Sequence, residues 1–210
     1  MYCPPLFRED RLEVQHAFIR SHPLGLLISS GPSGLLATPL PFELEPGGSG
    51  RGILKAHMAR ANPQWREIDD REVLIVFRGT DAYVSPSLYA TKKETGKVVP
   101  TWNYTMVQAR GMARLRDDET WLAGQLKKLT AAREAARPAP WAVTDAPADY
   151  VEAQMKHIVG VEIEIAALDG KWKVSQNQPE ANRRSVLAGF SADAQTREMA
   201  ELVRTYGKLE

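Results

Sequence analysis

In the segment LKAHMARANPQW, residues 54–65, Lys55, His57 and Arg60 precede an Asn-Pro pair. Side chains alternate along a strand, so Lys55 and His57 share one face while Leu54, Ala56 and Met58 take the other. Asn62 is a favoured helix N-cap and Pro63 suits the first helical position, so a short helix through QWREI would turn free N–H groups toward the cations. That grouping suits a phosphate monoester, whose charge-assisted hydrogen bonds are worth about 1.5–3 kcal/mol each. The competing reading is a solvated strand edge, with Lys55 exposed and Arg60 paired with Glu67 or an acid from elsewhere.

Three further stretches carry polar groups in unusual company. Thr38 in LLATPLPFEL shares a strand face with Leu36, Leu40 and Phe42, where a hydroxyl needs a partner. Pro39 and Pro41 remove two ladder donors, which either frees backbone groups for a ligand or marks an edge strand whose threonine bonds a carbonyl. PTWNY sets Trp102 and Tyr104 around Asn103, an amide able to donate and accept; a core aromatic pair is the plainer alternative. In KWKVSQNQ, Lys171, Lys173 and Ser175 share one side of a strand and lead into Gln176, Asn177 and Gln178, with solvated hairpin and loop residues as the alternative.

No catalytic set stands out, since G-x-S-x-G, H-E-x-x-H, P-loop and G-x-G-x-x-G patterns are all missing. His16 and His157 sit in helical patterns and His22 precedes a proline, so each reads as a packed or surface residue. Cys3 is the sole cysteine, which excludes an intramolecular disulfide, and four histidines without a second thiol argue against a structural zinc site. Twenty-seven basic and twenty-six acidic residues leave a net charge of +1, which supplies no global field for DNA or anionic membrane. No apolar run is long enough to span a bilayer and no secretory leader is evident, so a soluble cytoplasmic protein is expected.

The elements that must position these residues are mostly strands. At 43% hydrophobic and 25% charged residues the 210-residue chain has ordinary globular usage, so a single domain over 1–210 is expected. A D-x-x-E signal predicts a helix over roughly 10–21, ended by Pro23. Paired strands follow around GPSG, at ILKAHM after a turn marked by Gly47, Gly48 and Gly50, and at EVLIVFRG with DAYVSP. TKKETGK reads as a charged mobile loop, and Val107, Ala109, Ala113 and Leu115 alternate in the strand after Pro100. Leu122, Leu126 and Leu129 share one face of a helix opened by acids, and a shorter helix spans Ala148 to His157, giving a helical region around 117–157. Val161, Ile163 and Ile165 alternate in a last strand, Asp169-Gly170 offers a hairpin turn, and a helical tail covers about 179–207. The fold class is mainly β with flanking helices, an antiparallel sheet curled into a barrel.

MYCPPLF, LLATPLPF, HMARANPQW, YVSPSLY, GKVVPTWNY and GKWKVSQN, in this order along nearly the whole chain, resemble the PaiB-type family of FMN-binding negative transcriptional regulators. The resemblance implies a split β-barrel of the flavin-binding, pyridoxamine-phosphate-oxidase-like kind, acting as a homodimer with flavin at the subunit interface. It places the FMN phosphate near His57, Arg60 and Asn62 with Lys55 nearby, and brings Thr38 toward the flavin. Trp102, Asn103 and Tyr104 would line the dimer side, and Lys173, Ser175, Gln176 and Asn177 would close the pocket. The chain departs from the family pattern at Leu88, where Trp is common, and at Gln178, where Arg is frequent.

Three functions follow as expectations. The first is an FMN-binding regulator, with direct operator binding opposed by the balanced charge and the lack of a helix-turn-helix. The second is a flavin-dependent oxidoreductase passing electrons from a reduced nicotinamide nucleotide to a small acceptor. The third and remotest is haem binding through His57 or His157.

Overall fold

Residues 1–47 and 50–209 are described in the structure, a computed structural model. In chain order they form β1 (Arg8–Glu9), α1 (Leu12–Ser21), β2 (Leu24–Gly31), β3 (Gly34–Pro41), β4 (Glu43–Glu45), β5 (Ile53–Ala59), α2 (Trp65–Ile68), β6 (Arg71–Val84), α3 (Lys92–Thr95), β7 (Thr101–Arg116), α4 (Glu119–Glu134), α5 (Ala148–Met155), β8 (Ile158–Lys173), α6 (Glu180–Ser191) and α7 (Arg197–Gly207). The strands make an antiparallel eight-stranded sheet in the order β3-β2-β6-β7-β8-β5-β4, with β1 added to β8. Contacts divide the chain into a first unit, Met1–Gln15, Arg78–Val107 and Asp169–Glu210, and a second unit, His16–Phe77 and Gln108–Leu168. Among the described residues no helix is long and apolar enough to cross a membrane.

In the second unit the predicted alternation fixes which face is core. Leu54, Ala56 and Met58 of β5 are buried and stand opposite Ile163, Val161 and Val159 of β8. Lys55 and His57 therefore face the other way, opposite Glu162 and Gly160. Gly160 is required there, because a Cβ would lie 2.3 Å from the Trp121 ring of α4. That helix thus lies against the polar face of β5 and β8. The β3 strand ends the sheet order, which accommodates Pro39 and Pro41 opposite Leu26 and Leu24. Gly47 and Gly50 occupy a turn closed by a Gly50 N–H to Gly47 C=O bond at 3.3 Å, whereas Gly48, also assigned to that turn, lies outside the described residues.

The first unit has its own apolar cluster, in which Val186, Phe190, Met199 and Val203 from α6 and α7 pack on Val84, Tyr89 and Val174. A polar knot ties α7 to β1: the buried Glu9 carboxylate accepts from Arg11 Nε at 2.8 Å and from the Tyr206 hydroxyl at 2.7 Å. The Arg11 hydrogen bonds hold Glu9 below its ordinary value, against the opposing effect of burial. A lowered folded-state pKa stabilises above the unfolded value and is lost as the pH falls through the folded one. Protection of the α7 amides, measured against their intrinsic exchange rates at each pH, should therefore fall as the pH drops below the ordinary glutamate value of 4.5, and Glu9→Gln should remove that acid dependence.

Two local expectations change. Asp169-Gly170 is not a hairpin turn, since β8 runs unbroken from Ile158 to Lys173. Gly170 instead lets β1 approach: it pairs with Glu9, whose carbonyl oxygen would be 2.5 Å from any Cβ. The charged stretch TKKETGK contains the helical turn α3, closed by Gly96 in the left-handed region at φ 65° with its N–H on the Lys92 carbonyl.

Candidate functional site

The expected anion-binding residues lie together in the second unit, and each already has partners. Lys55 Nζ is 2.5 Å from Glu45 Oε2 of β4 and 3.9 Å from Glu162 of β8, with the Trp121 ring 6.0 Å away. Lys128 of α4 also binds Glu45, and Arg116 binds Glu162 at 2.6 Å. Burial acts against both carboxylates, but hydrogen bonds from Lys128 and Lys55 outweigh it at Glu45, as those from Arg116 and Trp121 do at Glu162, leaving both pKa values lowered. Lys55 therefore belongs to a network of three cations around two carboxylates.

His57 and Arg60 have partners of other kinds. His57 Nδ1 lies 2.9 Å from Gln125 Oε1, and the buried Nε2 of that glutamine has no partner among the described residues. An orphaned donor at this depth is costly unless something accepts from it. Arg60 is steered by two backbone carbonyls, Lys156 at 3.1 Å and Ile158 at 2.9 Å. Its outer edge then grips the Asp117 carboxylate in a two-pronged contact, with Nη1 to Oδ2 at 3.0 Å and Nη2 to Oδ1. These bonds lower the Asp117 pKa and raise that of Arg60. Asp117 is 60% exposed, so its hold is solvent-screened and replaceable. The acid paired with Arg60 is thus not Glu67, which instead accepts from the Ser33 hydroxyl at 2.5 Å.

Asn62 and Thr38 are joined through Gln64. Asn62 Oδ1 accepts from the Gln64 N–H at 3.0 Å, the cap-type bond expected of it, although the helix that follows is only Trp65–Ile68. Thr38 donates to Gln64 Oε1 at 2.5 Å and accepts from Asn62 Nδ2 at 3.0 Å, while Gln64 Nε2 donates to Ser29 at 2.9 Å. The odd hydroxyl on a core-facing strand is thereby satisfied by the segment that carries the Asn-Pro pair. Gln64→Leu should leave Thr38 and Ser29 without this partner and lower stability by about 1–3 kcal/mol, measurable by urea unfolding.

The other expected site residues lie in the first unit, where most hold one another. Asn103 is fully buried and exchanges hydrogen bonds with Ser175 at 2.9 and 3.2 Å. Ser175 sits at φ 68°, a left-handed conformation that turns the chain just beyond β8. Gln176 folds back, accepting from the Val174 N–H at 2.7 Å and donating to the Trp172 carbonyl at 2.5 Å; Asn177 is exposed. Trp102 is half exposed and meets Tyr83 edge-on at 5.7 Å. Trp102, Tyr104 and Lys173 line one cavity, with Asn103 on the opposite, buried side of β7.

Sequence reasoning missed Gln125, Gln64, Asp117, Glu45 and Glu162. A signal existed for Gln125, which interrupts the Leu122, Leu126 and Leu129 face as a lone polar residue. Asp117 gave none, because its partner is distant in sequence.

Residues 1–167 match the family FMN_bind_2, described as "Putative FMN-binding domain". An uncharacterized protein of Emericella nidulans is 35% identical over 250 residues, covering 100% of this chain and 99% of its own. The Bacillus subtilis protein named protease synthase and sporulation protein PAI 2 is 29% identical over 206 residues, covering 97% and 96%. Among solved structures, the FAD and heme binding protein from Mycobacterium smegmatis superposes with a TM-score of 0.57 at 15% identity, over 79% of this chain and 73% of that one. At that identity the likeness shows the fold, the split barrel of flavin-binding proteins. By the match over residues 1–167 and the identity along its full length, the chain belongs to the FMN_bind_2 family, in keeping with the PaiB-type motifs of its sequence.

Proposed function

We propose that the chain binds FMN, with the phosphate on Arg60, His57 and Asn62 and with Lys55 nearby. The observation that supports this most is the Arg60 fork, held from behind by two carbonyls and closed in front by an exposed carboxylate. Asp117 occupies it with a pair of oxygens such as a phosphate would also present, and a dianion competes well for a part-exposed guanidinium. The unpartnered Gln125 amide beside His57 offers a further donor. Thr38 is assigned to the approach of the flavin, Trp102 and Tyr104 to its dimer side with Asn103 buried behind them, and Lys173, Ser175, Gln176 and Asn177 to closing the pocket. When bound, FMN would supply two-electron redox chemistry and the chain its orientation. The visible spectrum of the purified protein on titration with FMN tests the assignment. FAD and haemin in parallel titrations identify the preferred group, because the similar mycobacterial protein binds FAD and haem by its name.

The functional form proposed is a homodimer acting as a negative regulator of transcription. In the second unit, Leu24, Leu26 and Leu35 are exposed on one face of the β2–β3 hairpin, continuous with Ile28 and Pro39 and with Leu74 and Val76 of β6. A second copy covering this apolar face accounts for it. Leu24→Glu with Leu35→Glu should convert a dimer to a monomer in sedimentation velocity. Regulation without direct operator contact is consistent with a net charge of +1, and salt-sensitive binding to promoter DNA would overturn that part. NAD(P)H turnover above that of free FMN would instead establish the oxidoreductase reading.

A further inference from the structure

The segment ahead of β1 is held by its backbone and leaves its largest ring outside. Tyr2 is 85% exposed, yet its carbonyl accepts from Lys171 Nζ at 3.1 Å. The Leu6 carbonyl accepts from Gln176 Nε2 at 3.3 Å, and Cys3 Sγ donates to the Gly170 carbonyl at 3.7 Å. Between these attachments Pro4 and Pro5 restrict the chain, and Pro5–Phe7 form a 3-10 turn closed by the Phe7 N–H on the Pro4 carbonyl at 2.9 Å. All three tethers end on β8 or on the turn just beyond it, so the segment is an arm fixed along the end of that strand.

What the fixed arm presents is aromatic. Tyr2 and Phe7 line a cavity of about 450 Å³ together with Trp102, Tyr104, Lys171 and Lys173. The Lys171 ammonium is 5.6 Å from the Tyr2 ring centre and 5.3 Å from that of Tyr104, so one cation ties arm and strand together at the level of the rings. Trp102, Tyr104 and Lys173 belong to the flavin pocket proposed above, and the arm brings two further rings to it. An exposed ring on a backbone already fixed has little freedom left to lose when a flat partner covers it. A planar tricycle is a partner of that shape.

We propose that this arm is a wall of the flavin pocket and that the Tyr2 ring lies on the face of the isoalloxazine, a role that rests on the flavin binding proposed above. Tyr2 thereby acts on the ring system of the cofactor, whereas Arg60, His57 and Asn62 act on its phosphate.

Titration of the flavin-free full chain with FMN and with riboflavin, which lacks the phosphate, tests the proposal by flavin absorbance. Tyr2→Ala keeps the carbonyl that Lys171 holds, so the arm stays tethered while the ring is lost. It should weaken FMN and riboflavin alike, by about tenfold, because both carry the same ring system. Tyr2→Phe and Tyr2→Trp should retain the affinity of the unaltered protein. Arg60→Ala should instead weaken FMN and leave riboflavin unchanged, so that the ring contact and the phosphate contact fail separately. Unchanged affinity of Tyr2→Ala for both ligands would overturn the proposal even where FMN binds through Arg60, as would a loss confined to FMN. A loss in Tyr2→Phe as large as that in Tyr2→Ala would also overturn it, by assigning the effect to the hydroxyl. Failure of either flavin to bind the unaltered protein would overturn both this role and the pocket on which it rests.

Discussion

Arg60→Ala should weaken FMN binding by about 100-fold or more, seen as a rightward shift of the flavin absorbance titration. The guanidinium is placed to give two charge-assisted bonds to one oxyanion, and at about 1.5 kcal/mol each their loss corresponds to roughly two decades in Kd. Asp117→Asn should have the opposite sign. It removes the negative charge that competes for the same fork, so FMN affinity should rise, while stability changes little because the Arg60–Asp117 pair is exposed. The two variants together separate a phosphate site from a surface ion pair. If the pair is merely structural, both substitutions leave FMN affinity where it was.

Gly111→Val should be the most damaging single substitution in the second unit. A Cβ on Gly111 of β7 would stand 2.0 Å from the carbonyl oxygen of Glu164 in β8 and 2.9 Å from its carbonyl carbon. Neither atom belongs to a flexible side chain, so the two backbones must move apart and neighbouring core contacts at Ile163 loosen with them. A loss of roughly 4 kcal/mol is expected, corresponding to a fall in Tm of about 8–16 °C for a chain of this size. A melting curve indistinguishable from wild type would show that these strands are not packed as described.

Much of the sheet was readable because burial imposes a period of two. Leu54, Ala56 and Met58 against Lys55 and His57 gave the inner and outer faces of β5 correctly, and Leu122 marked the packed side of α4. Gly170 was misread because a glycine that permits a turn and a glycine that permits close approach look alike in one dimension; only pairing with Glu9 separates them. The candidate phosphate site was legible as a gathering of cations but not as a balance of charge. Glu45 and Glu162 reach Lys55, and Asp117 reaches Arg60, through contacts that sequence spacing does not encode. Likewise, Asn103, Ser175 and Gln176 promised loose hydrogen-bonding capacity, whereas the left-handed backbone at Ser175 folds them onto one another and onto nearby carbonyls.

The prolines of β3 have one more effect. Within a well-formed ladder Pro39 and Pro41 must direct their nitrogens away from β2, so the outer rim of the sheet lacks amide donors at these two positions. A neighbouring chain is thereby hindered from continuing the ladder there. Molecules that meet through this hairpin are steered to press side chain on side chain, a mode that closes after one pairing instead of growing into open-ended fibres.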